Sequence, residues 1–149
     1  EQVARGFEVA QGDLEPQLVN LVHRDEHDLV LGEVAVVAVE AGTTAGEEVV
    51  GFGALSPYKE RAAYRTSVED SVYVRTDRGG RGIGRQILEE LLSVAAGSGF
   101  HAVFARINSS GEASIALHSR CGFELVGVER EVGRKFGRWH DVTVMERLL

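Results

Sequence analysis

The sequence predicts an α/β domain of the α+β kind, with a mixed, largely antiparallel central sheet flanked by helices. Three observations predict it. β-branched runs of strand length recur at Val34–Glu40, Val49–Leu55 and Thr66–Val74. The stripe Ile83, Ile87, Leu88, Leu91 and Leu92 has helical spacing. A glycine-dense segment, Asp77 to Arg85, lies between strand and helix. A chain of 149 residues suits one compact domain over residues 1–149, and 44% apolar residues is enough for a globular core.

The elements follow in order. Phe7–Ala10 reads as a short strand. Asp13 is an N-cap candidate for a helix with Leu14, Leu18, Leu21 and Val22 on one face, and Pro16 falls in its first turn, where a missing N–H is harmless. Val34–Glu40 and Val49–Leu55 flank the Gly- and Thr-rich Ala41–Glu48, which predicts an antiparallel hairpin. Ser56–Arg65, punctuated by Pro57, is a loop, and Thr66–Val74 a further strand. A helix over Ile83–Ala96 ends at Gly97 and Gly99. Ala102–Ile107 is the next strand, and Ser109 or Ser110 caps a second helix through His118. Phe123–Glu129 and Trp139–Met145 are strands separated by a turn over Gly133–Gly137. Strands that mostly follow one another directly, with helices interposed late in the chain, give the mixed sheet.

Charge narrows the partners. The net charge of −7 disfavours nucleic acid. Residues 1–48 hold eleven acids against two arginines, whereas residues 59–85 hold seven bases against four acids. A basic stretch in an acidic chain marks either a local anionic ligand or a solvated face. No apolar run approaches the roughly 20 residues that cross a bilayer, so no membrane association is expected. Glu1–Ala10 shows no basic region followed by an apolar one. Cys121 is the only cysteine, which excludes an intrachain disulfide and a cysteine-based metal site; no metal is expected, and a reducing cytoplasm is the expected setting.

The segment Asp77-Arg78-Gly79-Gly80-Arg81-Gly82-Ile83-Gly84-Arg85 has the makings of an anion cradle. Successive N–H groups at a helix start, reinforced by the helix dipole, favour phosphate, and glycine lets the ligand approach the backbone. No Lys-Ser/Thr pair follows, so it is not a Walker loop. No βαβ unit with an acid about 20 residues on is apparent, so it is not a dinucleotide fingerprint. Without a ligand, the same residues are a plain strand-to-helix turn.

A strand ending Val72-Tyr73-Val74, this turn, and the helix Ile83–Leu92 together resemble the acetyl-CoA motif of the GNAT acetyltransferases. The resemblance implies that the turn's amides at Gly80, Arg81, Gly82, Ile83, Gly84 and Arg85 hold the pyrophosphate of acetyl-CoA. It implies also that Val72, Tyr73 and Val74 line the acetyl group. Two positions depart from the family pattern: Gly79, where Arg or Gln is usual, and Gly111, where Asn is frequent. The segment Ser110–Phe123 resembles the family's closing helix, with Ser114 as a cosubstrate contact and His118 where many members carry a tyrosine that protonates the departing thiolate. Tyr64, Glu69, Ser71–Val74, His118 and the tail Glu131–Val142 together resemble the phosphinothricin and methionine-sulfone N-acetyltransferase branch. The resemblance is dense from Gly51 to Met145. Members of that branch are commonly homodimers.

Amine acetylation needs a proton acceptor at the amine, donors at the carbonyl oxygen, and relief for the departing thiolate. The resemblance assigns Glu69 as base, His118 to proton handling or substrate contact, and Tyr73 to a position near the thioester. Asp70 faces away from Glu69 if the strand is regular, so the two do not share one role. Lys59, Arg61 and Tyr64 precede the strand, where the branch holds its substrate's anionic groups; cationic donors suit carboxylate and phosphinate oxygens. The expected activity is acetyl-CoA-dependent acetylation of a small amino-acid-like amine such as phosphinothricin, methionine sulfone or methionine sulfoximine. His140 is a candidate for the pocket wall, and Cys121 is expected to be packed rather than nucleophilic. Two alternatives remain: a GNAT enzyme for another amine (polyamine, aminoglycoside or peptide N-terminus), and a non-catalytic CoA-binding module.

Overall fold

The computed structural model describes residues 17–19, 34–41 and 47–149. Among them, seven strands form one sheet: β1 (Gln17–Val19), β2 (Val34–Ala41), β3 (Glu47–Pro57), β4 (Ser67–Val74), β5 (Ala102–Asn108), β6 (Glu124–Lys135) and β7 (Arg138–Leu148). Two α-helices interrupt them, α1 (Ile83–Gly97) between β4 and β5, and α2 (Glu112–Arg120) between β5 and β6. The spatial order is β1-β2-β3-β4-β5-β7-β6. Only β4 and β5 run parallel; every other neighbouring pair is antiparallel. This is the mixed, largely antiparallel sheet that the strand order predicts.

The core lies where α1 crosses β2, β3 and β4. All five residues of its apolar stripe are buried, with Val50, Leu55, Val68 and Val103 against them. Two glycines of β3 set the approach. A Cβ on Gly53 would lie 2.5 Å from Ile87 Cγ2 and 2.8 Å from Leu91 Cδ1, and one on Gly51 would lie 2.8 Å from the Tyr73 carbonyl oxygen. Any side chain there would push the helix off the sheet.

Two expectations are corrected. The helix read through Leu14, Leu18, Leu21 and Val22 is not formed at Leu18: Gln17–Val19 is an edge strand paired antiparallel with Val37–Val39. A few spaced aliphatic residues fit either element, and pairing with an available strand edge decides. The strand read at Phe7–Ala10, the cap at Asp13, and Leu14, Leu21 and Val22 lie outside the described residues. The turn read over Gly133–Gly137 is narrower. β6 runs on through Gly133–Lys135, paired with Arg138–His140, and the reversal is the two-residue Phe136-Gly137. Both have positive φ, 52° and 72°, as a type I′ hairpin requires. The irregularity falls earlier, between Glu129 and Gly133, where Glu131 has φ 51° and donates its N–H to Asp141 Oδ1 at 2.8 Å.

Candidate active site

The parallel pair opens a crevice. β4 and β5 pair only over Ser67–Asp70 and Ala102–Ala105. Past Asp70, β4 continues to Val74 along β3 alone. The Arg75 N–H donates to the Val50 carbonyl at 2.9 Å, and the Tyr58 N–H to the Ser67 carbonyl at 3.3 Å. Antiparallel alternation therefore turns the main-chain groups of odd-numbered β4 residues toward β3 and those of Val72 and Val74 toward β5. At Val72 and Val74 the β5 ladder has already ended, so their N–H and C=O groups face the crevice. A parting of parallel strands at their carboxyl ends is where open α/β sheets take ligands.

The glycine turn stands at the mouth of this crevice. Gly80 (φ 76°) and Gly82 (φ 82°) adopt conformations that side chains resist, and a Cβ on either would meet nothing within 4 Å. Crowding therefore does not explain these glycines; backbone conformation and an open face do. Gly82 is the N-cap of α1, with no side-chain cap bond and no acid in the first turn. The first turn of α1 thus presents amides without a capping acceptor, in the positive field of the helix end. Gly84 serves packing, since its Cβ would lie 3.2 Å from Leu117 Cδ2 on α2. The Arg85 guanidinium pairs with Glu89 at 2.7 Å, which leaves the backbone of Arg85 as the part turned to the cradle. Arg75 binds Asp77 through two bonds, of 3.0 and 2.8 Å, and also pairs with Glu48, which ties the turn to β3.

β4 divides its side chains between two faces. Val68, Asp70, Val72 and Val74 turn toward the helices; Glu69, Ser71 and Tyr73 turn to the other face. Glu69 is half-buried, opposite Ser56 of β3 and in register with Phe104 of β5. Burial pushes its carboxyl above the usual range, Arg106 draws it down, and the charges of Asp70 and Glu129 push it up again. Tyr73 is 58% exposed and stacks on Phe52, its cross-strand partner, at 4.9 Å.

The loop after β3 reaches the same face as Glu69. Tyr58 stacks on Phe104 at 4.1 Å, and Tyr64 meets Tyr58 edge-on at 6.0 Å. Lys59 Nζ sits 4.7 Å from the Tyr58 ring and 5.0 Å from that of Tyr64, which fixes its charge without neutralising it. Lys59, Glu60, Arg61 and Tyr64 line a cavity of about 410 Å³. The structure thus gathers the Lys59–Arg61–Tyr64 cluster and Glu69 on one face.

His118 lies on the other face. It is 3% exposed, on α2, with Nε2 3.0 Å from Oδ2 of the equally buried Asp70 and Nδ1 2.7 Å from the Ser114 carbonyl. Both ring nitrogens meet acceptors, so the charged ring donates twice. Burial opposes that charge, but the hydrogen bond and charge of Asp70 and the Ser114 carbonyl raise the ring's pKa above its ordinary value. Asp70 Oδ1 is buried without a hydrogen-bond partner. Asp70 is also the last β4 residue paired with β5, so the pair sits at the floor of the crevice. Sequence reasoning placed Asp70 on the correct face but gave it no partner, because nothing local connects residues 48 positions apart.

Arg106 also escaped notice. It follows Phe104 by two residues, so it shares the face of Glu69, and it forms an ion pair with Glu129 of β6. Asn108 Nδ2 donates to His140 Nδ1 at 3.2 Å, and His140 Nε2 donates to the Lys135 carbonyl at 3.3 Å, which fixes the ring in the wall of the hairpin. Cys121 is buried, and burial pushes its thiol upward, as suits a packed residue. Among the described residues no group of three or more His, Cys, Asp or Glu is placed to hold a metal ion.

A phosphinothricin N-acetyltransferase of Streptomyces coelicolor is 48% identical over 69% of this chain and 60% of its own length. An L-methionine sulfoximine/L-methionine sulfone acetyltransferase of Pseudomonas paraeruginosa is 44% identical over 68% of this chain and 59% of its own. The chain therefore spans about 60% of the length of these relatives. The crystal structure of a phosphinothricin acetyltransferase from Sinorhizobium meliloti in complex with acetyl-CoA superposes with a TM-score of 0.71, with 39% identity over 79% of this chain and 62% of that one. Residues 42–144 match the acetyltransferase (GNAT) domain, and the chain belongs to that family.

Proposed function

We propose that the chain transfers an acetyl group from acetyl-CoA directly to the primary amine of a small amino-acid-like substrate of the phosphinothricin, methionine sulfone or methionine sulfoximine kind. The observation that carries this is the crevice beyond Asp70 and Ala105, with the uncapped start of α1 at its mouth. The amides of Gly80 to Arg85 suit a pyrophosphate, and the crevice-facing main chain of Val72 and Val74 suits the amide-bearing arm and thioester of acetyl-CoA. Ser114, on the wall formed by α2, is a further contact. The fit is one of backbone donors, so Gly79 and Gly111 are compatible with it.

Glu69 takes the proton of the substrate ammonium. Its half-buried position raises its pKa toward that of a useful base, and the charge of Arg106 opposes that rise. Tyr73 stands beside the thioester on the same strand. His118, charged at the crevice floor, supports the departing thiolate, and its proton store is the pair with Asp70. Lys59, Arg61 and Tyr64 receive the substrate's anionic end. The described strands share one sheet, which supports a single domain over residues 1–149. Homodimerisation through the last two strands is supported by the exposed Leu125, Phe136 and Trp139. A cytoplasmic site is supported by the lone reduced Cys121; among the described residues no helix is long and apolar enough to cross a membrane.

CoA thiol release should be measured with phosphinothricin, methionine sulfone, methionine sulfoximine, spermidine, kanamycin and a short peptide. Turnover is expected with the first three. Glu69→Gln, which keeps the shape, should lose about 100-fold or more in kcat/KM. Turnover confined to the other amines would overturn the substrate class. Acetyl-CoA binding by calorimetry without any turnover would overturn the enzyme reading.

A further inference from the structure

The amine and the α-carboxylate of an amino acid are separated by a single carbon. A pocket that presents a base to the amine therefore needs a cation close beside that base if it is to recognise the carboxylate. The loop cluster around Lys59 is one cationic feature near Glu69, and it belongs to the cavity bounded by Arg61 and Tyr64. The face of Glu69 carries a second one. Phe104 of β5 is in register with Glu69, and Arg106 lies one step farther along the same face, just where β5 parts from β4. Its charge is the strongest that acts on Glu69.

The surroundings of Arg106 favour ligand binding over a simple surface pair. Its side chain is 33% exposed, so it is reachable yet partly desolvated. Among the described residues it makes one ion pair, through Nη2 with Glu129. That contact uses one corner of the guanidinium and aims the group across β7. Nε and Nη1 remain as donors in the planar fork that suits a carboxylate. A cross-strand pair with no further role would contribute little and would not need to share the face of the proposed base.

We propose that Arg106 is a specificity-determining residue that binds the α-carboxylate of the substrate, held in orientation by Glu129, while Lys59 and its neighbours receive the substrate's distal polar group. This rests on the acetyltransferase reading of the site. It makes the enzyme selective for α-amino acids against amines of the same shape that lack the carboxylate.

The test compares methionine sulfone with its decarboxylated analogue, 3-(methylsulfonyl)propylamine, for the wild-type chain, Arg106→Met and Arg106→Lys. Both compounds need Glu69, so the analogue controls for any change in the base. In Arg106→Met, kcat/KM for methionine sulfone should fall on the order of 30-fold, mainly through KM, from loss of a charged hydrogen bond. The analogue should fall by a clearly smaller factor, the part due to the base that both compounds share. Arg106→Lys should recover part of the loss. Equal losses for both compounds, or none for methionine sulfone, would overturn the proposal. Calorimetry of both compounds against each protein saturated with CoA reads the same discrimination without turnover. A wild-type chain that binds methionine sulfone more tightly than the analogue, and loses that preference in Arg106→Met, supports Arg106 even if no acetyl transfer occurs. Equal binding of the two by the wild type overturns it even if transfer is rapid.

Discussion

Asp70 and His118 show how a buried pair converts position into proton affinity. With Nδ1 committed to the Ser114 carbonyl and Nε2 to a carboxylate, the neutral ring would leave one acceptor facing another. The folded ring therefore holds its proton more tightly than the unfolded one. Because the folded pKa is raised, the stabilisation is complete below the unfolded value near 6.5 and is lost as pH rises through the folded value. Urea unfolding should accordingly show stability declining as pH rises above about 6.5. In Asp70→Asn the side-chain amide donates to Nε2 and the ring is satisfied while neutral. That decline should flatten, with roughly 2 kcal/mol lost at the acid end, less than the 3–5 kcal/mol expected when a buried charge is left unpaired. An unchanged pH slope in the variant would show that the pair holds no proton. Glu69 has the same direction of shift with a different cause, since its pKa is raised chiefly by burial. The acid limb of kcat/KM should therefore lie above the usual carboxylate range, and should move up further in Arg106→Met, where the charge that favours ionisation is gone.

At the scale of elements, α1 has two ends with different tasks. Its apolar stripe is legible in the sequence because burial imposes the period of the helix on Ile83, Ile87, Leu88, Leu91 and Leu92. Its start is legible as a run of glycines, but only the backbone angles separate them by role. Gly80 and Gly82 need positive φ over open space, whereas Gly84 makes room for Leu117. Gly82→Val should cost about 1–2 kcal/mol of stability from the left-handed backbone. It should weaken acetyl-CoA more than about ten-fold by distorting the amides of the cradle. Calorimetry and thermal melting on the same samples separate the two effects; loss of stability with unchanged affinity would show that the turn does not hold the pyrophosphate. The edge strand at Gln17–Val19 illustrates the reverse case. Three residues have no period of their own, and the available edge of β2 makes them a strand.

At the scale of the whole molecule, the long β6–β7 hairpin carries most of the exposed large apolar side chains among the described residues. Phe136 is 88% exposed and holds φ 52° at the tip, a conformation costly for a bulky side chain. Leu125, Val126 and Val128 are also exposed along β6, and Trp139 lies across the strand from Arg134, whose guanidinium is 5.2 Å from its ring. If this surface meets a second copy, Phe136→Asn should shift sedimentation toward the monomer, with at least about a ten-fold weaker dimer. It should not unfold the hairpin, because Asn-Gly is the preferred pair for this turn. A wild-type chain that sediments as a monomer at all concentrations would overturn the dimer.

By itself the sequence determined the mixed sheet, nearly all the strand and helix positions from Val34 onward, and the glycine turn at the start of α1, while the grouping of Lys59, Arg61, Tyr64 and Glu69 came from the family resemblance. These are local properties: alternation, helical period and glycine spacing act within a few residues. Only the tertiary structure decided where β4 and β5 part, that Asp70 meets His118, that Arg106 shares the face of Glu69, and that Gln17–Val19 is a strand. Each of these depends on the register between segments distant in the chain, and register is fixed by packing across the sheet, after local preference has been satisfied.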